Sequence, residues 1–330
     1  MRSRPPSLVR LRGLGLALCA AVLFSHTAGA QPFPSRTITM IVPVPPAGIL
    51  DQAARIVSPG MGTALGQSVI IDNRAGASGN IGAVAVARAK PDGYTLLIGY
   101  SMFHVGNPVM FKNLQWDPLK DFTPVGMIAV APHVITVNAS LPYQTLKELV
   151  DYARAHPNAL NYATSGNGSV PHVGMELFKQ TFKVDIAHVP YKGAGPAVQD
   201  VIGGNVQMTV ATPPSVLGFV KSGKLRALAI AAKNRLPALP DVPTTAEAGF
   251  PGVEMEAWVS IFAPAGTPPE AVNRLSAALK QSLESPEAVK SAATAGMEIR
   301  YMTPAQLDAQ VRRDINYWQP VIRNARITID

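Results

Sequence analysis

Five segments of this sequence carry glycine, proline or hydroxyl residues at points where an apolar run ends, and such residues suit anion binding. They occupy residues 45–50, 100–104, 164–169, 190–196 and 211–214. A turn that leads into a helix presents backbone N–H groups without helical partners, and these groups attract carboxylates. One such loop is weak evidence, but five together predict a small-molecule cleft at the ends of strands.

The first of these segments follows residues 38–44, an apolar and largely β-branched run with the length of a buried strand. Pro45, Pro46 and Gly48 predict a tight turn, and the helical spacing of apolar residues begins at Leu50. We therefore expect this turn to form one wall of the cleft.

The segment 164–169 contains three hydroxyl groups and two glycines. Thr164, Ser165 and Ser169, with the start of the following helix, would suit a carboxylate, and Ser169 is expected to cap that helix. An ordinary strand-to-helix loop is the alternative interpretation. In the segment 190–196, Lys192 is the obvious cation for an acid, although a lysine in a turn is usually solvated.

Sequence motifs of catalysis, cofactor binding and metal binding are absent. There is no G-x-S-x-G elbow and no H-E-x-x-H helix. Residues 218–224 differ from a P-loop because Leu225 replaces the Ser/Thr and because the segment ends a helix. The scattered histidines are interpreted as packing or hydrogen-bonding residues: His104, His133, His156, His172 and His188. The sequence predicts no enzyme, no cofactor and no metal site.

Residues 1–30 have the composition of a secretory signal peptide. Four arginines precede the apolar run 14–24, and cleavage is expected after Ala30, in the A-x-A pattern of residues 28–30. Cys19 leaves a lipoprotein signal as an alternative, but Leu18 stands where a small residue is expected. The mature chain would be periplasmic and without cysteine, and no later apolar run is long enough to span a membrane.

The net charge of the full sequence is +8, and loss of the four arginines in residues 1–30 lowers it to +4. Because the basic residues are not clustered, this charge does not favour a nucleic-acid partner. It is compatible with an anionic small ligand.

Strand-like runs alternate with helical patterns along the chain, which predicts an α/β fold of parallel sheets covered by helices. From Pro268 onward three helical patterns dominate, and they are too short for an independent domain. We expect this tail to pack against the first half of the chain. The chain would then cross between two domains near Pro132 and near Pro251.

Several motifs, in this order, resemble the Bug family of periplasmic solute receptors, the extracytoplasmic subunits of tripartite tricarboxylate transporters. The matching stretches include Pro43-x-Pro45-Pro46-x-Gly48-x-x-Asp51, Asp72-Asn73-Arg74-x-Gly76, Ser165-Gly166-Asn167-Gly168-Ser169-x-Pro171-His172 and His188-Val189-Pro190-Tyr191-Lys192-Gly193. The resemblance implies a two-domain periplasmic-binding-protein (venus-flytrap) fold with a ligand cleft between the domains. With the crossings above, domain 1 would comprise residues 31–131 and 252–330, and domain 2 residues 132–251.

The resemblance also implies a monomeric receptor that captures a carboxylated metabolite and delivers it to the membrane permease subunits. In such receptors the loop after the first strand and the Ser-Gly-x-Gly-Ser loop hold one carboxylate. Carried over, the first loop supplies Ala47, Gly48, Ile49 and Leu50, and the second supplies Thr164, Ser165, Gly168 and Ser169. Tyr100, Ser101 and Thr212 would line the more variable distal part of the site.

Two departures from the family pattern concern the ligand. The family turn usually reads Pro-Gly-Gly-Ser-Thr-Asp, whereas Ile49 and Leu50 replace its two hydroxyl residues here, and Ala211-Thr212 replaces a common Asp-Asn pair. A hydroxyl-rich ligand would leave polar groups unpaired, at about 1–3 kcal/mol each. We therefore predict a carboxylate with an apolar or aromatic body. A receptor that presents its ligand to a two-component sensor kinase is the alternative function.

Overall fold

The computed structural model describes residues 33–329, so the predicted signal peptide and its cleavage after Ala30 lie outside the described residues. The strands are β1 (Ile38–Val42), β2 (Val69–Asn73), β3 (Thr95–Tyr100), β4 (Phe122–Ala131), β5 (Val134–Asn138), β6 (Asn161–Thr164), β7 (Ala187–Pro190), β8 (Met208–Ala211), β9 (Leu225–Ile230), β10 (Ala257–Pro264) and β11 (Glu298–Met302). The helices are α1 (Ile49–Leu65), α2 (Asn80–Ala87), α3 (Ser101–Val105), α4 (Asn107–Met110), α5 (Leu146–Ala155), α6 (Val170–Phe182), α7 (Ala194–Ile202), α8 (Pro213–Lys221), α9 (Pro269–Leu283), α10 (Pro286–Thr294) and α11 (Pro304–Asn324). None of the helices in residues 33–329 has both the length and the apolar character of a membrane span.

The strands form two sheets. One has six strands in the order β11-β4-β10-β3-β1-β2, and the other has five in the order β7-β6-β8-β5-β9. The prediction of parallel sheets is wrong, because both sheets are mixed. Strand β1 pairs parallel with β2 and β3, but β10 is antiparallel to β3 and β4, and β5 is antiparallel to β8 and β9.

The connections between the sheets explain these directions. Strand β4 leaves the six-stranded sheet, and only Pro132 and His133 separate it from β5 in the other sheet. Strand β10 carries the chain back from the opposite side, so it enters the six-stranded sheet against the direction of β3 and β4. The link from β4 to β5 is short, whereas the return from β9 to β10 takes residues 231–256, so the direction of β10 depends on the path of that longer segment.

The C-terminal tail packs against the six-stranded sheet and its helices. Ser282 of α9 donates a hydrogen bond from Oγ to the carbonyl of Val57 in α1, at 3.0 Å, and a side chain at Gly60 would overlap Ser282. The tail also contains strand β11, which the sequence analysis missed. Its residues are half-buried or exposed because it is an edge strand, and its charged side chains hide the apolar periodicity.

The residue types of β1 and α1 explain why this segment forms a buried strand followed by an amphipathic helix. Every residue of β1 except Thr39 is buried, and helix α1 buries one apolar face that includes Ala53, Val57 and Met61. The helix ends at Gly66, whose φ of 69° is a left-handed conformation suited to glycine. This unit therefore fixes the turn between strand and helix at the carboxyl end of β1.

Candidate functional site

A cleft of about 1850 Å³ lies between the two sheets, at the carboxyl ends of β1, β3, β6, β7 and β8. Each of the five segments predicted from the sequence contributes residues to its lining, including Ala47, Tyr100, Ser165, Lys192 and Thr212. The cleft is where strand ends from both sheets meet, which is the usual place for a ligand in α/β proteins.

Four helices begin at or beside this cleft. Their first residues follow Gly48 (α1), Ser169 (α6), Gly193 (α7) and Thr212 (α8), and within residues 33–329 none of these four starts is capped by a side chain. The first N–H groups of a helix have no intrahelical acceptor, and the helix dipole adds positive potential there. Helix α8 is an exception, because Pro213 and Pro214 have no N–H and the Ser215 N–H donates to the Thr212 carbonyl at 3.0 Å. The backbone donors that can bind an anion therefore belong to the starts of α1, α6 and α7.

The turn before α1 has a constrained backbone. Ala47 has φ = 68°, which is left-handed for a residue with a side chain, and its N–H donates to Asp51 Oδ2 at 2.9 Å. The side chain of Gln52 donates from Nε2 to the Ala47 carbonyl at 3.0 Å. The Ala47 N–H is thus directed at Asp51, and the donors left for a ligand are those of residues 48–50.

Asp51 anchors this turn from within the fold. Its carboxylate is 1% exposed and accepts hydrogen bonds from Arg55 Nε at 2.8 Å, from Arg55 Nη2 at 3.1 Å and from Asn73 Nδ2 at 3.0 Å. Burial raises the pKa of Asp51, but the hydrogen bonds from Arg55, Ala47 and Asn73 together lower it below its usual value. Asp51 is therefore ionised at neutral pH and holds the turn in place.

The structure divides the predicted site residues into two groups. Seven line the cleft: Ala47, Gly48, Ile49, Leu50, Tyr100, Ser165 and Thr212. Leu50 is only 3% exposed and belongs to the hydrophobic core, so Ile49 presents most of the aliphatic surface of the turn. The contact of these residues with a ligand stays a prediction.

The other four predicted residues are outside the lining of the cleft. Thr164 is fully buried, and Ser101 is 5% exposed with no hydrogen-bond partner for its Oγ among residues 33–329. The α-carbon of Gly168 faces Met110 and Ile329. Ser169 occupies the N-cap position, but its Oγ donates to the Gly166 carbonyl at 2.7 Å, so the expected cap is wrong.

Further cleft residues were not identified from the sequence. Phe103, one residue before the end of segment 100–104, lines the cleft and packs edge-on against Tyr100, with ring centroids 5.3 Å apart. Burial raises the pKa of Tyr100, so its phenol is neutral. His133 lies between the sheets, and burial lowers its pKa to about 4, although Nδ1 hydrogen-bonds the Met255 carbonyl at 2.7 Å.

The charges around the cleft favour an anion. Arg55, Lys192 and Lys290 are in the lining, and Glu287 is the one carboxylate among its described residues. In residues 33–329, no three His, Cys, Asp or Glu side chains come together in a group that could hold a metal ion.

Comparison with known proteins gives the family. Residues 53–327 match the model of the tripartite tricarboxylate transporter family receptor, TctC. BugT of Bordetella pertussis is 37% identical over 309 residues, which cover 91% of this chain and 94% of BugT. The protein of the tcbD-tcbE intergenic region of a Pseudomonas species is 35% identical over 314 residues, covering 95% of this chain and 93% of that protein.

Solved structures show the same architecture. An R. palustris protein with adipate is 37% identical, has a TM-score of 0.78, and covers 90% of this chain and 99% of its own. MatC from Rhodopseudomonas palustris with bound malate is 36% identical with a TM-score of 0.74, covering 88% of this chain and all of its own. The predicted α/β two-domain periplasmic-binding-protein fold and the resemblance to Bug proteins are confirmed. This chain belongs to the TctC family of tripartite tricarboxylate transporter receptors, a class of non-enzymatic periplasmic solute-binding proteins.

Proposed function

We propose that this protein captures a small carboxylate with an apolar or aromatic body and delivers it to the membrane permease subunits of a tripartite tricarboxylate transporter. The observation that carries the proposal is the convergence of the starts of α1, α6 and α7, none of which has a side-chain cap, on one cleft that also has an apolar wall. The signal peptide would direct export and be cleaved after Ala30, and the receptor would act as a monomer in the periplasm.

The acid would bind where donors from both sheets face each other. The N–H groups of residues 48–50 start α1 on one side of the cleft, and Ser165 and the start of α7 lie on the other. Backbone donors at helix starts suit one carboxylate of the ligand. Lys192 adds a cation that would favour a second carboxylate on the same ligand. Relatives support this choice of ligand class, since solved structures with adipate and with malate are 37% and 36% identical to this chain.

The body of the ligand would face an apolar wall. Ile49, Tyr100, Phe103, Val210 and Ala211 line the cleft beyond the turn. Burial of apolar ligand surface there gains about 25 cal/mol per Å², whereas an unpaired ligand hydroxyl would lose about 1–3 kcal/mol. The wall thus favours an aliphatic or aromatic dicarboxylate over citrate or malate.

Ligand capture would close two domains around the cleft. We propose residues 31–131 and 252–330 as one domain and residues 132–251 as the other, because the two sheets divide the chain in this way. The links between them would act as hinges, at residues 132–133 and before β10. Small-angle scattering should then show a smaller radius of gyration when the ligand is added.

A thermal-shift panel tests the ligand class. Terephthalate, benzoate, nicotinate and adipate are compared with citrate, malate and glutamate, all at equal ionic strength. A ligand at 100 times its Kd should stabilise the native state by about 2.7 kcal/mol, which a melting curve resolves. Larger stabilisation by citrate or malate than by adipate or terephthalate would overturn the apolar-body proposal.

Delivery is tested in cells. Uptake of the labelled acid that gives the largest thermal shift should be lost when either this receptor or the permease is deleted. Uptake that survives deletion of the receptor, together with loss of a transcriptional response to the same acid, would favour presentation to a sensor kinase instead.

A further inference from the structure

A buried histidine and a half-buried histidine stack behind the loop 164–169, outside the lining of the cleft. His172 lies in the first turn of α6 and is 6% exposed, and His188 lies in β7. Their rings are nearly parallel, with centroids 3.8 Å apart and planes 14° from each other. Tyr162 of β6 stacks on the other side of His188, at 4.9 Å.

Each histidine bonds one end of the loop. His172 Nδ1 accepts the Gly168 N–H at 3.0 Å, and His188 Nε2 is hydrogen-bonded to Thr164 Oγ1 at 2.7 Å. Thr164 ends β6, and Gly168 stands just before the N-cap of α6. The stacked pair therefore ties Thr164, the first residue of the loop, to Gly168 near its end.

Ser165 lies between these two attachment points and lines the cleft. Gly193 N–H donates to the Ser165 carbonyl at 3.2 Å, so the same loop also meets the start of α7. Gly166 and Gly168 have φ of 136° and 71°, conformations that side chains rarely adopt. A loop with two such residues would have many alternatives, and the histidine bonds select one of them.

The bond from Gly168 requires a neutral His172. Burial and then Lys179 lower the pKa of His172 to about 4, and burial, His172 and Lys179 lower that of His188 to about 4 against the opposing charge of Glu176. Both rings are then neutral at pH 7. A protonated His172 would place an N–H against the Gly168 N–H, and the hydrogen bond would be lost.

We propose that the His172–His188 pair is a positioning element that holds the loop 164–169 in its ligand-binding shape and thereby sets the affinity of the cleft. The inference rests on the proposed function, since it assigns the loop to the carboxylate site. Neither imidazole touches the ligand, and both act through the backbone and hydroxyl groups that they bond.

Matched variants separate the hydrogen bond from simple packing. In His172→Asn the amide oxygen can occupy the position of Nδ1 and accept the Gly168 N–H, whereas His172→Leu keeps a side chain of similar bulk without an acceptor. Titration calorimetry with adipate and with terephthalate should give affinities for His172→Leu about tenfold weaker than wild type, the effect of one lost hydrogen bond, and for His172→Asn within about threefold. Equal affinities for the two variants would overturn the proposal.

A measurement on the loop itself needs no ligand. Hydrogen exchange and the ¹⁵N-correlated NMR signal of the Gly168 amide should change in His172→Leu and remain near wild type in His172→Asn. If His172→Leu leaves the Gly168 amide protected as in wild type, the pair does not hold the loop and the proposal is wrong. If wild type binds neither acid while the amide responds as expected, the assignment of ligand has failed but the positioning role has not.

A second pair of variants covers a failure of His172→Leu to fold. His188→Gln can keep a polar group at the position of Nε2, and His188→Met removes it. Only His188→Met should therefore weaken ligand binding and loosen the loop at Thr164.

The pH profile gives a further readout. The ratio of wild-type to His172→Asn affinity should fall as the pH approaches 4, because His172 is protonated and loses its bond whereas asparagine does not titrate. Protonation of the ligand affects both proteins equally and cancels in the ratio. A constant ratio would contradict the role of the neutral imidazole.

Discussion

Replacement of Asp51 by asparagine should both destabilise the protein and loosen the turn before α1 that faces the ligand. The carboxylate accepts four hydrogen bonds, two at Oδ2 from the Ala47 N–H and Arg55 Nε, and two at Oδ1 from Asn73 and Arg55 Nη2. An asparagine presents an NH₂ group to one of these donor pairs in either orientation. Two hydrogen bonds are therefore lost, and the acceptor of the remaining two is a neutral amide oxygen instead of a carboxylate.

The structure gives the expected size of the effect. Arg55 is 57% exposed and can turn to water, so most of the loss comes from whichever of the Ala47 and Asn73 bonds faces the NH₂ group and from the charge removed from the other, at about 2–3 kcal/mol in total. For a chain of this size that corresponds to a fall in Tm of about 4–9 °C. In the orientation that places the NH₂ group at Ala47, this residue also loses the bond that offsets its left-handed conformation, which costs about 1–2 kcal/mol. Ligand affinity should therefore fall about tenfold as the turn relaxes.

Thermal unfolding and titration calorimetry check both parts. Asp72→Asn is the matched control, because Asp72 pairs with Arg74 at 2.8 Å on the surface and both side chains are partly exposed. That variant should melt within about 1 °C of wild type. The reasoning would be refuted if Asp51→Asn also melted within about 1 °C of wild type and bound the ligand with unchanged affinity.

The pH dependence of the same variant follows from linkage. The folded-state pKa of Asp51 lies below 3.8, so its carboxylate stabilises the native state above that pH, and the stabilisation is lost as the pH falls through the folded-state value. The stability difference between wild type and Asp51→Asn should be constant from pH 5 to 8 and shrink below about pH 4. A difference that grows as the pH is lowered would contradict this sign.

Three further predictions concern the cleft. Ile49→Ser should raise the affinity for malate relative to adipate, measured by calorimetry, because a hydroxyl on the turn can pair with that of the ligand. Gly296→Ala should weaken binding more than Gly223→Ala, although both glycines have positive φ, because a side chain at Gly296 overlaps the ring of Pro214 across the cleft and one at Gly223 meets nothing. Equal losses of affinity for these two variants would show that the contact with Pro214 does not matter. Lys192→Gln should weaken binding of a dicarboxylate more than that of benzoate and reduce the salt dependence of its affinity, and an equal effect on both acids would contradict a role for the lysine in binding a second carboxylate.

Local patterns predicted the elements of this fold well, because strand and helix periodicity depends on neighbours in the chain. The start of α1 at Ile49 lies one residue from the predicted start, and the five ligand segments all reach the cleft. Strand β11 was missed because an edge strand does not need an apolar pattern. The direction of β10 was missed because it depends on the route by which the chain returns between the sheets.

The sequence alone determined the alternation of strands and helices, the turns at strand ends and the family. The tertiary structure decided which side chains of those turns face the cleft. Asp51 and Asn73 are 22 positions apart in the chain, and Thr164 and His188 are 24 positions apart. These partners meet only when the strands pair, so no local pattern could show that Thr164 bonds inward while Ser165 lines the cleft. Backbone turns follow from nearby residues, but the direction of a polar side chain follows from the partners that the fold brings to it.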